Sequence, residues 1–357
     1  MTSISKIDPY IIAEAGVNHN GSLKIAKSLI FNAKKAGANA IKFQLYDADK
    51  MITKYSKLAP YQKKNLKLNI SQYELISSLQ ISKKFLIEII HYSNEIKIDF
   101  MVSVFDEKSL NLINSTKYDN YLKIPSGEIT NYFLLNKINL NKNKIILSTG
   151  MSNYQEIADA LNVLAKCKIY FCKNNKITIK NHNLIERLKK KIVIMHCITE
   201  YPADIQYSNL KVINKIKNDF LLPVGFSDHS LGSEVAIASI YSGAIFLEKH
   251  ITLNKKQKGP DHAASLTPSE FKFMIKKINK AKIIIGNDVK KIQPCEIQNL
   301  NIARKFLVAK KDIKKGKIIN ISDITCKRSS KGISPMEINK VLGKKAKKKF
   351  LKDDLIK

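Results

Sequence analysis

Apolar residues recur along the chain in runs of strand length, at 10–16, 40–44, 100–104, 121–124, 144–147, 192–196, 223–225 and 244–248. Between most of these runs the apolar positions fall three and four apart, as on one face of a helix. Leu23, Ala26, Leu29, Ile30 and Ala33 do so in the first interval, and Ile157, Ala160, Leu161 and Leu164 in a later one. Eight strands alternating with helices over about 250 residues predict an α/β fold of the (β/α)8 (TIM) barrel type. A doubly wound sheet is the alternative, but no glycine-rich phosphate fingerprint follows the first strand. The interval 47–80 is long and holds the polar run Ala59-Pro60-Tyr61-Gln62; it reads either as a lid over the barrel mouth or as a decorated loop. Beyond Gly286 the pattern changes to short β-type pieces with turns at Lys315-Gly316 and Lys331-Gly332. The predicted organisation is a barrel over 1–286, a linker over 287–303 and a small, mostly β domain over 304–357.

In such a barrel the reacting groups stand at the C-terminal tips of the strands, and every predicted tip is polar. In strand order the tips carry Glu14, then Lys42 and Gln44, then Ser103. Lys123 with Ser126-Gly127-Glu128 follows, then Ser148-Thr149-Gly150, then His196 with Thr199 and Tyr201. The seventh and eighth runs lead into Ser227-Asp228-His229 and Glu248-Lys249-His250, and Asp261 follows. Neighbouring strands that both end on histidine bring two imidazoles together, as a metal site or an acid–base pair needs. Lys42 and Lys123 interrupt apolar strands, where an unpaired ammonium is costly, so each needs an anion. A buried carboxylate such as Glu128 or Glu248 could supply it, and so could a bound phosphate or carboxylate beside the Ser-Gly turns. Basic groups on strands two and four with histidines and carboxylates across the barrel describe an enzyme. It would join a phosphorylated anion to a polyol with metal assistance.

Charge and cysteine content change this picture little. The formal charge is +32, which invites a nucleic-acid reading. Yet only Arg187, Arg304 and Arg328 among the 62 basic residues are arginines, the lysines are scattered, and aromatics are not interleaved with them. A/T-rich codons account for a chain this full of Lys, Asn and Ile, so no nucleic-acid partner is expected. No run of membrane-spanning length and no signal-peptide core are present. The five cysteines lack CxxC pairing and read as reduced thiols of a cytoplasmic protein.

The motifs Ile12-Ala13-Glu14-Ala15-Gly16-Val17-Asn18-His19-Asn20-Gly21, Lys123-Ile124-Pro125-Ser126-Gly127-Glu128, Leu147-Ser148-Thr149-Gly150-Met151, Ser227-Asp228-His229 and Gly259-Pro260-Asp261 resemble, in combination and order, the sialic acid synthase family. These are phosphoenolpyruvate-dependent nonulosonate synthases, and the last domain, with Lys327-Arg328, resembles their antifreeze-like (SAF) domain. The resemblance implies condensation of phosphoenolpyruvate with an open-chain N-acetylated amino sugar. It also implies a domain-swapped homodimer and a divalent ion, Mn²⁺ first, with Mg²⁺ or Co²⁺ as alternatives. By motif, His229 and His250 look like the metal ligands. Lys42, Ser103, Lys123, Ser126, Ser148, Thr199 and Ser227 look like phosphoenolpyruvate contacts. Glu14, Tyr201 and Asp261 look like sugar contacts, Glu128 like a carboxylate near the reacting carbons, and Arg328 like a residue acting in the partner's barrel. The run Lys42-Phe43-Gln44-Leu45-Tyr46, together with Thr199, looks more like the legionaminate branch than the neuraminate branch, which is the alternative. Two rival readings are a heptulosonate- or octulosonate-type synthase and a non-catalytic basic protein on a barrel scaffold.

Overall fold

Side chains on a strand alternate between its faces, and in this barrel the alternation sorts polarity by height. The computed structural model describes residues 8–58, 70–116, 118–287 and 289–356. Eight parallel strands close the barrel: β1 (Tyr10–Gly16), β2 (Ala40–Leu45), β3 (Asp99–Val104), β4 (Tyr121–Ile124), β5 (Lys144–Ser148), β8 (Ile192–Cys197), β9 (Val224–Asp228) and β10 (Phe246–His250). Around the ring the order is β1-β10-β9-β8-β5-β4-β3-β2, so each strand pairs with its predecessor in the barrel and β10 closes on β1. The antiparallel hairpin of β6 (Tyr170–Lys173) and β7 (Lys176–Ile179) stands outside the ring.

Ile12, Ala40, Met101, Ile146, Val193, Met195 and Phe246 fill the lower barrel as one apolar cluster. Gly225 belongs to this packing, since a Cβ there would lie 2.7 Å from both Met195 Sδ and Phe246 Cβ. Two residues further along seven of the eight strands the inward positions turn polar, Glu14, Lys42, Ser103, Lys123, Ser148, Ser227 and Glu248, while on β8 the position is Cys197. The outward positions, among them Ala13, Phe43, Val102, Ile145, Ile194 and Leu247, pack under the helices as the main core. The polar layer is therefore buried beneath the mouth and rests on an apolar plug.

The long interval after β2 folds, in its described part, into α2 (Ala48–Met51) and α3 (Gln72–Leu79). The Ala59-Pro60-Tyr61-Gln62 run lies outside the described residues. Asp47 and Ser71 cap the two helices through their side chains.

By its contacts the chain divides into two compact units, 1–286 and 287–357. Within the second, a helix over Ile297–Ala303 occupies part of the stretch expected to be a linker. β11 (Lys305–Ala309) and β12 (Ile324–Arg328) then pair antiparallel over a core of its own, with Leu307, Ile313, Ile324, Val341 and Phe350. Among the described residues no helix is long and apolar enough to cross a membrane.

Candidate active site

Strand register sets the polar layer. Glu14 lies opposite His250 on one side and Lys42 on the other, Ser103 opposite Lys123, and Glu248 opposite Ser227. The side chains meet across the axis. Lys123 Nζ donates to both oxygens of Glu248, at 2.9 and 2.8 Å. Lys42 Nζ donates to Ser103 Oγ at 2.8 Å, pairs with Glu14 Oε2 at 2.7 Å and stands 3.7 Å from Glu248 Oε2. Ser227 Oγ donates to Glu248 Oε1 at 2.9 Å. Two lysines and two carboxylates thus form one buried network of balanced charge. Burial pushes the Glu248 carboxyl up, but Lys123 and Lys42 outweigh it and hold the group well below the usual carboxylate range. At Glu14 burial wins over Lys42 and the carboxyl is raised. The anion that the lysines require is, in the first instance, the chain's own.

Beside the lysines lies a cradle of hydroxyls. Gly150 N–H donates to Ser126 Oγ at 3.0 Å, and Ser126 Oγ touches Cys197 Sγ at 3.2 Å. Thr199 Oγ1 is buried without a hydrogen-bond partner, an arrangement that costs free energy unless something fills it. A Cβ on Gly150 would fall 2.2 Å from that hydroxyl and 2.8 Å from Ser126 Oγ, so only glycine leaves the cradle open.

Across the barrel the rings of His229 and His250 stand 5.6 Å apart, and Tyr201 stacks on His229 at 4.1 Å. His229 Nδ1 donates to the Ile198 carbonyl at 2.6 Å, which leaves the Nε2 lone pair on the side of Ser227 Oγ, 3.2 Å away. His250 Nδ1 is buried without a hydrogen-bond partner, 3.8 Å from Asp261 Oδ2. Burial lowers both imidazoles, His229 to about 4 and His250, with the help of His229, well below its ordinary value. Both are therefore neutral near pH 7. An orphaned nitrogen, a second imidazole oriented by a backbone carbonyl and a nearby carboxylate fit a divalent cation. Among the described residues no three His, Cys, Asp or Glu side chains converge as a complete cage. Coordination positions would thus remain for oxygen ligands from outside, as in catalytic sites.

These groups share one cavity of about 380 Å³, the size of a small-molecule site. It is lined by Glu14, Lys42, Ser103, Lys123, Ser126, Ser148, Thr199, Tyr201, Ser227, His229, His250 and Asp261, all expected at strand tips from the sequence. A larger open groove of about 820 Å³ runs along 136–141, 164–166 and 184–191 and contains none of them. Two expected residues are not among these lining residues. Glu128 is half-buried on a 3₁₀ turn, its carboxylate accepts from Asn131 Nδ2 at 2.7 Å, and it does not line the cavity. Arg328 ends β12 in the second unit, exposed and in register with Lys305. The sequence offers Glu248 only as a counter-ion to a lysine, whereas in the structure it lines the cavity and bridges both lysines. The signal was its place two residues before His250, on the same face of a strand.

The insertion also lines the cavity. Met51 of α2 and Leu75, Ile76 and Leu79 of α3 face it beside Val17, Tyr46 and Phe105.

Residues 29–290 match the NeuB family and residues 304–357 match the SAF domain. The N,N'-diacetyllegionaminic acid synthase of Campylobacter jejuni is 43% identical over 97% of this chain and 98% of its own length. The enzyme of the same name from Legionella pneumophila is 37% identical over 95% and 90%. The solved structure of the N-acetylneuraminic acid synthetase of Leptospira borgpetersenii superposes with a TM-score of 0.67. It is 28% identical and covers 82% of this chain and 91% of that one. With a family match over most of the barrel and relatives this similar over nearly their whole length, the chain belongs to the NeuB family and carries a SAF domain after the barrel.

Proposed function

We propose that this protein condenses phosphoenolpyruvate with an open-chain N-acetylated amino sugar and releases inorganic phosphate, as an N,N'-diacetyllegionaminate synthase. The observation that carries the reading is one cavity with two buried lysines on one side and two neutral imidazoles on the other. The names of the Campylobacter and Legionella relatives supply the sugar.

Lys42 and Lys123 bind the carboxylate and phosphate of phosphoenolpyruvate, with the hydroxyls of Ser103, Ser126, Ser148, Thr199 and Ser227 as further donors. Glu14, Asp261 and Tyr201 bind the sugar and fix its aldehyde. C3 of phosphoenolpyruvate then forms the new bond to the aldehyde carbon, whose oxygen gains a proton. Water adds to the cation left at C2 and loses a proton, and the hemiketal phosphate collapses with C–O cleavage. His229 and His250 are the residues that would hold a divalent cation, Mn²⁺ first, and such an ion supplies Lewis-acid polarisation of the aldehyde. The rest of the acceleration is positioning and electrostatic stabilisation in a buried site. Glu14, raised by burial, is a better acceptor for the water's proton than Glu248, which the lysines keep ionised. Glu128, tied to Asn131 outside the cavity lining, then serves to hold the Ser126 turn.

We further propose a homodimer in which Arg328 of one subunit completes the barrel of the other. Its support is that an arginine, scarce in this chain, stands exposed at a strand end. The absence of disulfides among five free cysteines accords with a cytoplasmic setting.

Phosphate release tests the function. With phosphoenolpyruvate and Mn²⁺, 2,4-diacetamido-2,4,6-trideoxymannose is expected to give release faster than N-acetylmannosamine. Faster release with N-acetylmannosamine would assign the neuraminate reaction instead. Absence of release with every N-acetylated sugar would leave a binding protein.

A further inference from the structure

The reaction proposed above needs polar groups, yet one wall of the cavity is apolar. Met51, Leu75, Ile76, Leu79 and Phe105 present no hydrogen-bonding side-chain group apart from a thioether, and Gln72, at the start of the helix that carries Leu75, Ile76 and Leu79, is the one amide among the residues from these helices. They come from beyond the tips of β2 and β3, whereas the lysines sit within the strands. A molecule held at the lysine layer and extending toward the mouth on this side would meet this wall.

The wall is built in place. Tyr46 Oη donates to the Ile76 carbonyl at 3.2 Å, and its ring packs edge-on against Phe105 at 5.8 Å. Ala48 N–H donates to Gln80 Oε1 at 2.9 Å, Asp47 N–H to Asp106 Oδ2 at 2.8 Å, and Tyr73 Oη to Asp49 Oδ1 at 2.6 Å. Both helices are thus pinned to the barrel, and Ile76 joins Val17, Tyr46 and Ala48 in a separate apolar cluster. A surface held this firmly discriminates by shape and by what it cannot hydrogen-bond.

We infer that this wall is the acceptor-specificity element: it receives the sugar carbons distal to the aldehyde and favours a methyl at C6 and an acetamido methyl at C4 over hydroxyls. The inference rests on the synthase reading. A methyl group packs against Leu, Ile and Phe, while a hydroxyl at the same place gives up its water without a partner. Apolar pockets reject an added hydroxyl only moderately, by about 100-fold at most, so the expected preference is graded and not absolute.

The test compares kcat/KM for sugars in the wild-type enzyme and in two variants at half-buried wall positions, Met51→Gln and Leu79→Asn. Wild-type enzyme should prefer 2-acetamido-2,6-dideoxymannose over N-acetylmannosamine, which differs only at C6, by roughly 10-fold. Each variant should shrink that ratio several-fold through the sugar KM, with the KM for phosphoenolpyruvate unchanged. Equal use of the two sugars by the wild-type enzyme overturns the inference without any variant having to fold, and leaves the synthase reading standing. A ratio unchanged in folded variants also overturns it. No phosphate release from phosphoenolpyruvate with any N-acetylated sugar overturns the synthase reading, and this inference with it.

Discussion

Glu248 holds the polar layer together. Its carboxylate accepts two hydrogen bonds from Lys123 and one from Ser227 and lies in the field of Lys42, all at nearly complete burial. Removing one partner of a buried ion pair costs about 3–5 kcal/mol, because the other charge stays behind. Glu248→Gln should therefore lower stability by roughly 3 kcal/mol in urea titrations. Phosphoenolpyruvate or phosphate should recover more stability in the variant than in the wild type, since an anion can answer the orphaned ammonium groups. An equal effect of phosphate on both proteins would place the lysines outside the anion site. The legibility of the site follows the same logic. Lys42, Lys123, His229 and His250 could be read from the sequence because charge inside an apolar strand has few explanations. Glu248 could not be ranked, because which carboxylate answers a buried lysine depends on which strands are neighbours across the axis. Glu128 looked like a site residue beside Ser126-Gly127, but the 3₁₀ turn carries it away from the cavity lining.

Among the elements, the turn between β1 and the helix Leu23–Ala36 (α1) shows how a histidine can be structural at a strand tip. His19 is fully buried, its Nδ1 accepts from the Gly21 N–H at 3.0 Å, and its ring lies 5.3 Å from Phe85 and 6.0 Å from Phe43. Burial pushes its imidazole down to about 4. For a base lowered on folding, the unfolded chain binds the extra proton, so stability is full above about pH 6.5 and falls as pH drops toward 4. The shift corresponds to roughly 3 kcal/mol. His19→Gln should therefore show a shallower loss of stability than the wild type between pH 6.5 and 4, measured by urea unfolding; parallel slopes would exclude this role. Barrel strands were legible as elements because buried parallel strands are continuous apolar runs. The seventh was read as 223–225 but extends as Val224–Asp228, since Ser227 faces inward between the outward Phe226 and Asp228. The β6–β7 hairpin went unread: its strands are four residues each and largely exposed, so no burial pattern marks them. Its one signal was Asn174-Asn175, both at positive φ, the turn chemistry of a tight hairpin.

For the whole molecule, two units with separate cores make the proposed exchange between subunits testable by mixing. A dimer by light scattering is expected. His229→Ala and Arg328→Ala proteins, each nearly inactive alone, should regain activity when dissociated and reassociated together, because some mixed dimers then hold one intact site. No recovery in verified mixed dimers would place Arg328 outside the partner's site. The charge of +32 also takes its place at this scale. Among the described residues only Lys42, Lys123 and Lys249 are buried, each beside a carboxylate, so nearly all the excess belongs to solvent-facing lysines.

The balanced Lys42–Lys123–Glu14–Glu248 network has a thermochemical consequence. An arriving anion draws the ammonium groups toward itself and sets its own negative charge beside two carboxylates, so both carboxylates become easier to protonate. Ligand binding is then coupled to the uptake of protons from the buffer. Titration calorimetry with phosphoenolpyruvate near pH 6 should give heats that change with the ionisation enthalpy of the buffer, and the Glu14→Gln protein should show a weaker dependence.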